Sequence, residues 1–147
     1  MINTTRTAFL ILASILFCCN FDIQARSIIV NNKQVSTGKV HALESLVSHE
    51  NALEELYAII DSHTLFIDFY GPKCEPCQTM RPRFEALAQE TDHVLFIKIN
   101  MAQFPLIVKA LGVRSLPTFI SFKNGQEVSR IVGAVSKKQL KIKSGVC

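Results

Sequence analysis

Two cysteines, Cys74 and Cys77, stand two residues apart in the stretch FYGPKCEPCQTM, with Glu75 and Pro76 between them and Lys73 just ahead. Three chemistries fit such a pair: a redox couple, half of a metal site, or an inert structural disulfide. A strand ending at Gly71-Pro72 and a helix beginning near Cys74 place the first cysteine at a helix amino terminus. Unpaired amides and the helix dipole favour an anion there, so a thiolate at Cys74 is stabilised. Cys77 falls one turn further on, on the same helix face and within bonding reach, but deeper in the helix. The roles therefore divide: Cys74 as the exposed nucleophile that attacks a disulfide, and Cys77 as the resolving thiol that releases the mixed disulfide. A zinc site needs two or more further ligands. No second Cys-x-x-Cys pair exists, and His41, His49, His63 and His93 show no ligand spacing, so each histidine reads most simply as a surface or helix-end residue. An inert disulfide stays open as the plain alternative.

Asp68 stands alone in an apolar run six positions before Cys74. Burying an unpaired carboxylate costs several kcal/mol or forces its pKa upward. Two readings follow: a buried acid and base serving Cys77 directly or through a water, or a strand-end residue that reaches solvent. Lys98, in the next apolar run, either partners Asp68 or points outward.

The elements that must position these groups are legible as periodicities. Leu53, Leu56, Ile59 and Ile60 recur at helical spacing and predict an amphipathic helix from Ser48 to Ile60. TLFIDFY, residues 64–70, predicts a strand buried on both faces and leads straight into the cysteines. Met80, Phe84, Leu87 and Ala88 continue a helix after them, with Pro82 expected to kink it rather than stop it. HVLFIKIN, residues 93–100, predicts a second buried strand, and Pro105 to Leu111 a short helix closed by Gly112. Then TFISFK and EVSRIVG flank Asn124-Gly125, the strongest local hairpin signal, and a helix from Ser136 closes the chain. Residues 26–40 predict either a hairpin or a loose leading segment. Parallel crossovers followed by an antiparallel hairpin make an α/β fold, a mixed sheet of four or five strands with helices on both faces.

At 147 residues the chain suffices for one domain. Its first twenty residues, MINTTRTAFLILASILFCCN, have the layout of a secretory leader: a positive end, then Ala8 to Cys19, an apolar run too short to span a bilayer. Cleavage is expected near Ala25, with a buried helix or an uncleaved anchor as the alternative. The organisation expected is thus a leader over 1–25, a leading segment over 26–39 and one domain over 40–147. The protein would be exported, periplasmic or secreted, touching membrane only through the leader. Cleavage removes Arg6 and Asp22 together and leaves the net charge at +4. That excess is mild. Lys137, Lys138, Lys141 and Lys143 crowd the carboxyl end without interleaved aromatics, so they predict a solvated helix face rather than a nucleic-acid site. Only Cys74, Cys77 and Cys147 would survive maturation, which argues against a multi-disulfide scaffold. Cys147 would pair with another molecule, act as an extra thiol, or have no role.

From Val40 to Leu140 the chain resembles the thioredoxin family. The resemblance rests on an ordered set: VHALES as the first family strand, FIDFY with Asp68, the Cys-Glu-Pro-Cys pair, Pro82, FIKIN with Lys98, RSLPTF, KNG, and VGAVSKKQL with Gly133. It implies a thioredoxin-like three-layer sandwich and a cis bond before Pro117, which only a proline permits at modest cost. It also implies that Pro117 sits beside Cys74, that the Leu116 backbone pairs with an extended substrate strand, and that Lys73, Glu75, Pro76 and Gly133 join the substrate surface. Thiol–disulfide exchange needs no cofactor.

This chain departs from the family at telling places. Lys73 stands where a Trp is usual, there is no Trp anywhere, Tyr70 fills the other usual aromatic position, and Glu75 replaces a customary small residue. Glu75 disfavours a Cys74 thiolate and Lys73 favours it, so their charges oppose each other on an exposed surface. Family members with proline at the Pro76 position are mostly reductants. The expectation is a monomeric protein-disulfide reductase acting on protein disulfides and recharged by an unidentified electron donor. The alternatives are an exported disulfide oxidase or isomerase on the same fold, and a binding or chaperone module without redox turnover.

Overall fold

The computed structural model describes residues 27–147. The expected leader and its cleavage point near Ala25 lie outside the described residues. The described chain opens with a hairpin, β1 (Ser27–Val30) and β2 (Lys33–Ser36), paired antiparallel as its own two-stranded sheet. Asn31 and Asn32 make its turn at φ of 48° and 62°, the left-handed region that asparagine tolerates better than most residues. Of the two readings of this segment, the hairpin is the one observed.

Next come β3 (Val40–Ala42), a 3-10 turn (Leu43–Ser45), α1 (Ala52–Ser62), β4 (Leu65–Tyr70), α2 (Glu75–Gln89) and β5 (Leu95–Asn100). The chain ends with α3 (Pro105–Ala110), β6 (Thr118–Lys123), β7 (Gln126–Val132) and α4 (Lys137–Ser144). Five strands form the main sheet in the order β3-β5-β4-β6-β7. The pairs β3/β5 and β5/β4 are parallel, and β4/β6 and β6/β7 antiparallel. The mixed sheet with helices on both faces is the expected thioredoxin-like architecture.

Strand alternation sorts two cores. Leu65, Ile67 and Phe69 of β4 pack with Leu56, Ile59 and Ile60 of α1 and Ile107 of α3. Phe66 of β4, Phe96 and Phe119 pack with Met80, Phe84 and Leu87 of α2 and Leu140 of α4. In that second core the Phe66, Phe84, Phe96 and Phe119 rings meet at centroid distances of 5.1–6.1 Å, within the range of favourable aromatic contacts. The helix through Pro82 runs unbroken from Glu75 to Gln89. Asn124 and Gly125 join β6 to β7 with φ of 52° and 76°, both positive as the favoured two-residue hairpin turn requires. Ser136 caps α4 in a reciprocal capping box with Gln139.

Two boundaries differ from the sequence reading by three residues or more. The first helix starts at Ala52, with Asn51 at its cap, rather than at Ser48. Glu55 folds back from the helix to take hydrogen bonds from the Ser48 amide, at 3.1 Å, and from the Ser48 hydroxyl, which holds residue 48 in the approach to the helix. In VHALES only Val40 to Ala42 are strand, because Leu43 to Ser45 close into the 3-10 turn. The lysines of α4 lie on its outer side, where Lys137 pairs with Glu90. Among the described residues no helix is long and apolar enough to cross a membrane.

Candidate active site

Cys74 is the N-cap of α2, with extended backbone at φ −94° and ψ 98°. Its Sγ accepts a hydrogen bond from the Cys77 amide at 3.2 Å, occupying one of the amides that a helix start leaves unpaired. Pro76 in the first turn forfeits an amide that would have no helical partner in any case. Cys74 and Cys77 are joined as a disulfide, with their Cα atoms 5.2 Å apart. The two sulfurs are not equivalent. Cys77 is 3 % exposed, on the buried side of α2, whereas Cys74 is half-buried between exposed Lys73 and Glu75.

A second loop closes against the first. The Leu116–Pro117 bond is cis, as the resemblance implies. A Cβ placed on Gly71 would lie 2.9 Å from Leu116 Cδ1, so the bare glycine ahead of the cysteines lets the Leu116 side chain sit against it. The Pro117 carbonyl accepts from the Gly133 amide at 2.8 Å. Gly133 holds φ of +87°, a backbone that side chains rarely adopt, and so ends β7 beside the proline. Thr118 and Val132 are partners in the ladder, and Val132 is exposed next to this glycine. The loop that leads into the cysteines thus meets the Leu116–Pro117 turn at Gly71, and that turn is itself tied to Gly133.

The buried carboxylate lies on β4, the strand that leads into the cysteines. Alternation along β4 turns Asp68, like Phe66, toward α2, whose buried side carries Cys77. Asp68 is 5 % exposed, and its Oδ1 has no hydrogen-bond partner. Burial pushes its carboxyl up from the ordinary 3.8 to about 7, against the pull of the Arg81 and Lys98 cations. Of the two readings of Asp68, the buried one is observed. Lys98 stands directly across from it in the β4/β5 register. Burial also holds the Tyr70 hydroxyl above its ordinary range, with the Glu44 and Asp68 anions acting in the same sense and Arg81 opposing them.

Sequence reading missed Arg81 and Glu44 as members of this charge cluster. Arg81 follows Cys77 by four residues, one helical turn, and that spacing was the available signal. The histidines serve locally. His41 bonds the Ser36 carbonyl at 2.8 Å and His93 the Val146 carbonyl at 3.2 Å, His49 stacks on Phe104, and His63 ends α1. Cys147 is free and half-buried against the α2/α4 core.

Comparison with known proteins agrees with this geometry. The Thioredoxin family model matches residues 45–144. A thioredoxin of Chlamydia trachomatis is 39% identical over 95 residues, covering 65% of this chain and 89% of that protein. Thioredoxin 1 of Synechococcus elongatus is 39% identical over 77 residues, 52% of this chain and 72% of that one. Among solved structures, a mutant thioredoxin from Halobacterium salinarum superposes with a TM-score of 0.64 at 27% identity, covering 78% of this chain and 96% of that one. Mitochondrial thioredoxin 3 from Saccharomyces cerevisiae, in its oxidised form, gives 0.59 at 35% identity, covering 64% and 87%. With an accessible and a buried cysteine bonded across one helical turn and a cis-proline loop facing them, the chain belongs to the thioredoxin family and is a thiol–disulfide oxidoreductase.

Proposed function

We propose that the protein is an exported, monomeric protein-disulfide reductase. The observation that carries this reading is the asymmetry of the pair, with Cys74 reachable at the helix start and Cys77 buried behind it. In the reduced form the Cys74 thiolate attacks one sulfur of a client disulfide, forming a mixed disulfide and expelling the other client sulfur as a thiolate. Cys77 then gives its proton to the Asp68 carboxylate and attacks Cys74 Sγ. The Cys74–Cys77 bond forms, the mixed disulfide breaks, and the second client thiolate leaves and takes up a proton. Two electrons pass from the dithiol to the client. Lys98 beside Asp68 favours the carboxylate that takes the proton.

The client segment lies extended along the Leu116 backbone, between Lys73, Glu75 and Pro76 on one side and Pro117 and Gly133 on the other. Pro76 supports the reducing direction, which the family resemblance attaches to a proline at that position. A leader ending near Ala25 supports export, and an exported reductant requires a separate electron donor to regenerate its dithiol.

The deciding measurement is the equilibrium reduction potential of the Cys74–Cys77 couple, in protein lacking residues 1–25 and carrying Cys147→Ser. A value near about −270 mV fits a reductant, and one above about −180 mV turns the reading to an oxidase or isomerase. Cys74→Ser abolishes turnover of a protein disulfide. Client capture that survives loss of both cysteines, without any turnover in the wild type, would establish a binding module instead.

A further inference from the structure

Between the end of β7 at Val132 and the cap of α4 at Ser136 the chain crosses as three residues, Gly133, Ala134 and Val135, that belong to no helix or strand. Such a link has no ladder to hold it, yet both ends of this one are tied. At its start the Gly133 amide donates to the Pro117 carbonyl at 2.8 Å. At its end both backbone groups of Val135 are taken by side chains of α2, the helix that carries the cysteines. The Val135 amide donates to Met80 Sδ at 3.3 Å, and Arg83 Nη1 donates to the Val135 carbonyl at 2.7 Å. The same Nη1 also donates to Met80 Sδ, at 3.6 Å. Met80 and Arg83 are neighbours on the helix surface, three residues apart, and Met80 is one turn beyond Cys77. Met80 is fully buried and Arg83 half-buried. A thioether is a weak acceptor, whereas a guanidinium partly withdrawn from water makes the stronger, charge-assisted kind of bond. The reaction as written uses neither residue.

We propose that Arg83 is a positioning residue for client docking: its bond to the Val135 carbonyl fixes the Gly133–Val135 link against the cysteine helix and so sets one edge of the surface along which an extended polypeptide client lies. The inference rests on the reductase reading above, which lays the client beside Pro117 and Gly133, and extends it to a residue that the client does not touch. The link is held by hydrogen bonds at its two ends rather than by packing at Gly133, where an added Cβ would meet nothing within 4 Å. Without the Arg83 bond, only the weak contact from the Val135 amide to sulfur ties that end to α2. Gly133 then follows the cis-proline turn alone. The consequence falls on clients that need the link as a surface. A small disulfide needs only Cys74 and feels it least.

The test mixes pre-reduced full chain with insulin or with bis(2-hydroxyethyl) disulfide, which has no peptide chain, and follows formation of the Cys74–Cys77 bond by acid quench and peptide mass spectrometry. Amide hydrogen exchange of the oxidised full chain, read by NMR, reports on the Val135 end of the link. Arg83→Met keeps the aliphatic stem and loses the donors. In it the rate constant for insulin should fall about fivefold relative to that for the small disulfide, the scale of ordering one or two groups at an interface. The Val135 amide should exchange about tenfold faster, as expected when a charge-assisted bond to the same residue is lost. Arg83→Lys returns a cationic donor and restores most of both. An unmoved ratio overturns the proposal, and so does an equal fall with both disulfides, which would mean damage to the cysteine helix itself. An unmoved Val135 exchange rate overturns it as well. A wild type that reacts with the small disulfide and never with insulin overturns the reductase reading, and the link then has no client to receive. The exchange measurement uses no client and separates that failure from a failure of the Arg83 bond.

Discussion

At the scale of single residues, two neighbours of opposite charge adjust the chemistry of Cys74. The helix start supplies a field that favours a thiolate in any member of the fold, and Lys73 and Glu75 are what this chain adds. Both are exposed, so water screens them and neither moves the couple far. Their signs are nevertheless unambiguous. Removing the Glu75 carboxylate stabilises the thiolate, hence the dithiol state, and makes the couple more oxidising. Removing the Lys73 cation does the reverse. Glu75→Gln should therefore raise the reduction potential and Lys73→Gln lower it, each by about 5–20 mV, the equivalent of a surface charge interaction. Equilibration against a dithiol buffer measures both. Shifts of the same sign in the two variants would mean that shape rather than charge controls the pair.

At the scale of elements, what was legible in the sequence was whatever carries its own local signal. The β4 run, the Asn124-Gly125 turn and the Ser136 cap each bring their instructions within a few residues. The start of α1 was misread because Glu55, inside the helix, reaches back to Ser48, and local propensity says nothing of that contact. Arg81 was missed for a related reason, since its link to Asp68 exists only once α2 is laid across β4. The opening hairpin shows the same limit, for nothing in SIIVNNKQVS says what it will cover. Val30 and Val35 are buried in the α1 core with Leu43, Leu46 and Leu56. The Asn31 side-chain amide ties the turn to the Leu46 carbonyl at 3.1 Å and to Glu55 at 2.8 Å. The hairpin thus works as a cover on the face away from the cysteines. Deleting residues 27–36 removes both valines and bares the Leu43, Leu46 and Leu56 surface they cover, at a cost on the order of 3 kcal/mol or more, at about 1.5–3 kcal/mol for each buried side chain lost. The loss would appear as a lower urea midpoint, with exchange through Cys74 and Cys77 retained in the folded fraction. An unchanged midpoint would show that the hairpin covers nothing that the rest of the chain needs.

At the scale of the whole molecule, the site imposes a pH dependence on folding. The Asp68 carboxyl ionises near 3.8 when exposed in the unfolded chain and near 7 in the fold, where burial opposes its charge. The folded state therefore binds this proton more tightly. Stability contributed by the protonated carboxyl is fully present below about pH 4, and it drains away as pH rises through about 7. Above that range the fold must hold an anion whose Oδ1 has no hydrogen-bond partner. With about 1.4 kcal/mol for each pH unit of displacement, the ceiling of the effect is about 4 kcal/mol. Asp68→Asn removes the ionisation and keeps the shape, though an amide in the same place still lacks partners, so a gain of about 2–3 kcal/mol is expected at pH 8.5. Near pH 4 the variant and the wild type should be close to equal. Urea unfolding of the oxidised protein at the two pH values reads the difference directly. A gap of the same size at both would mean that Asp68 titrates as an ordinary carboxylate and that its burial does not hold its proton. A gap confined to the higher pH would mean that the fold gives up stability near neutrality to keep this carboxyl buried on the face that packs against the helix of Cys77.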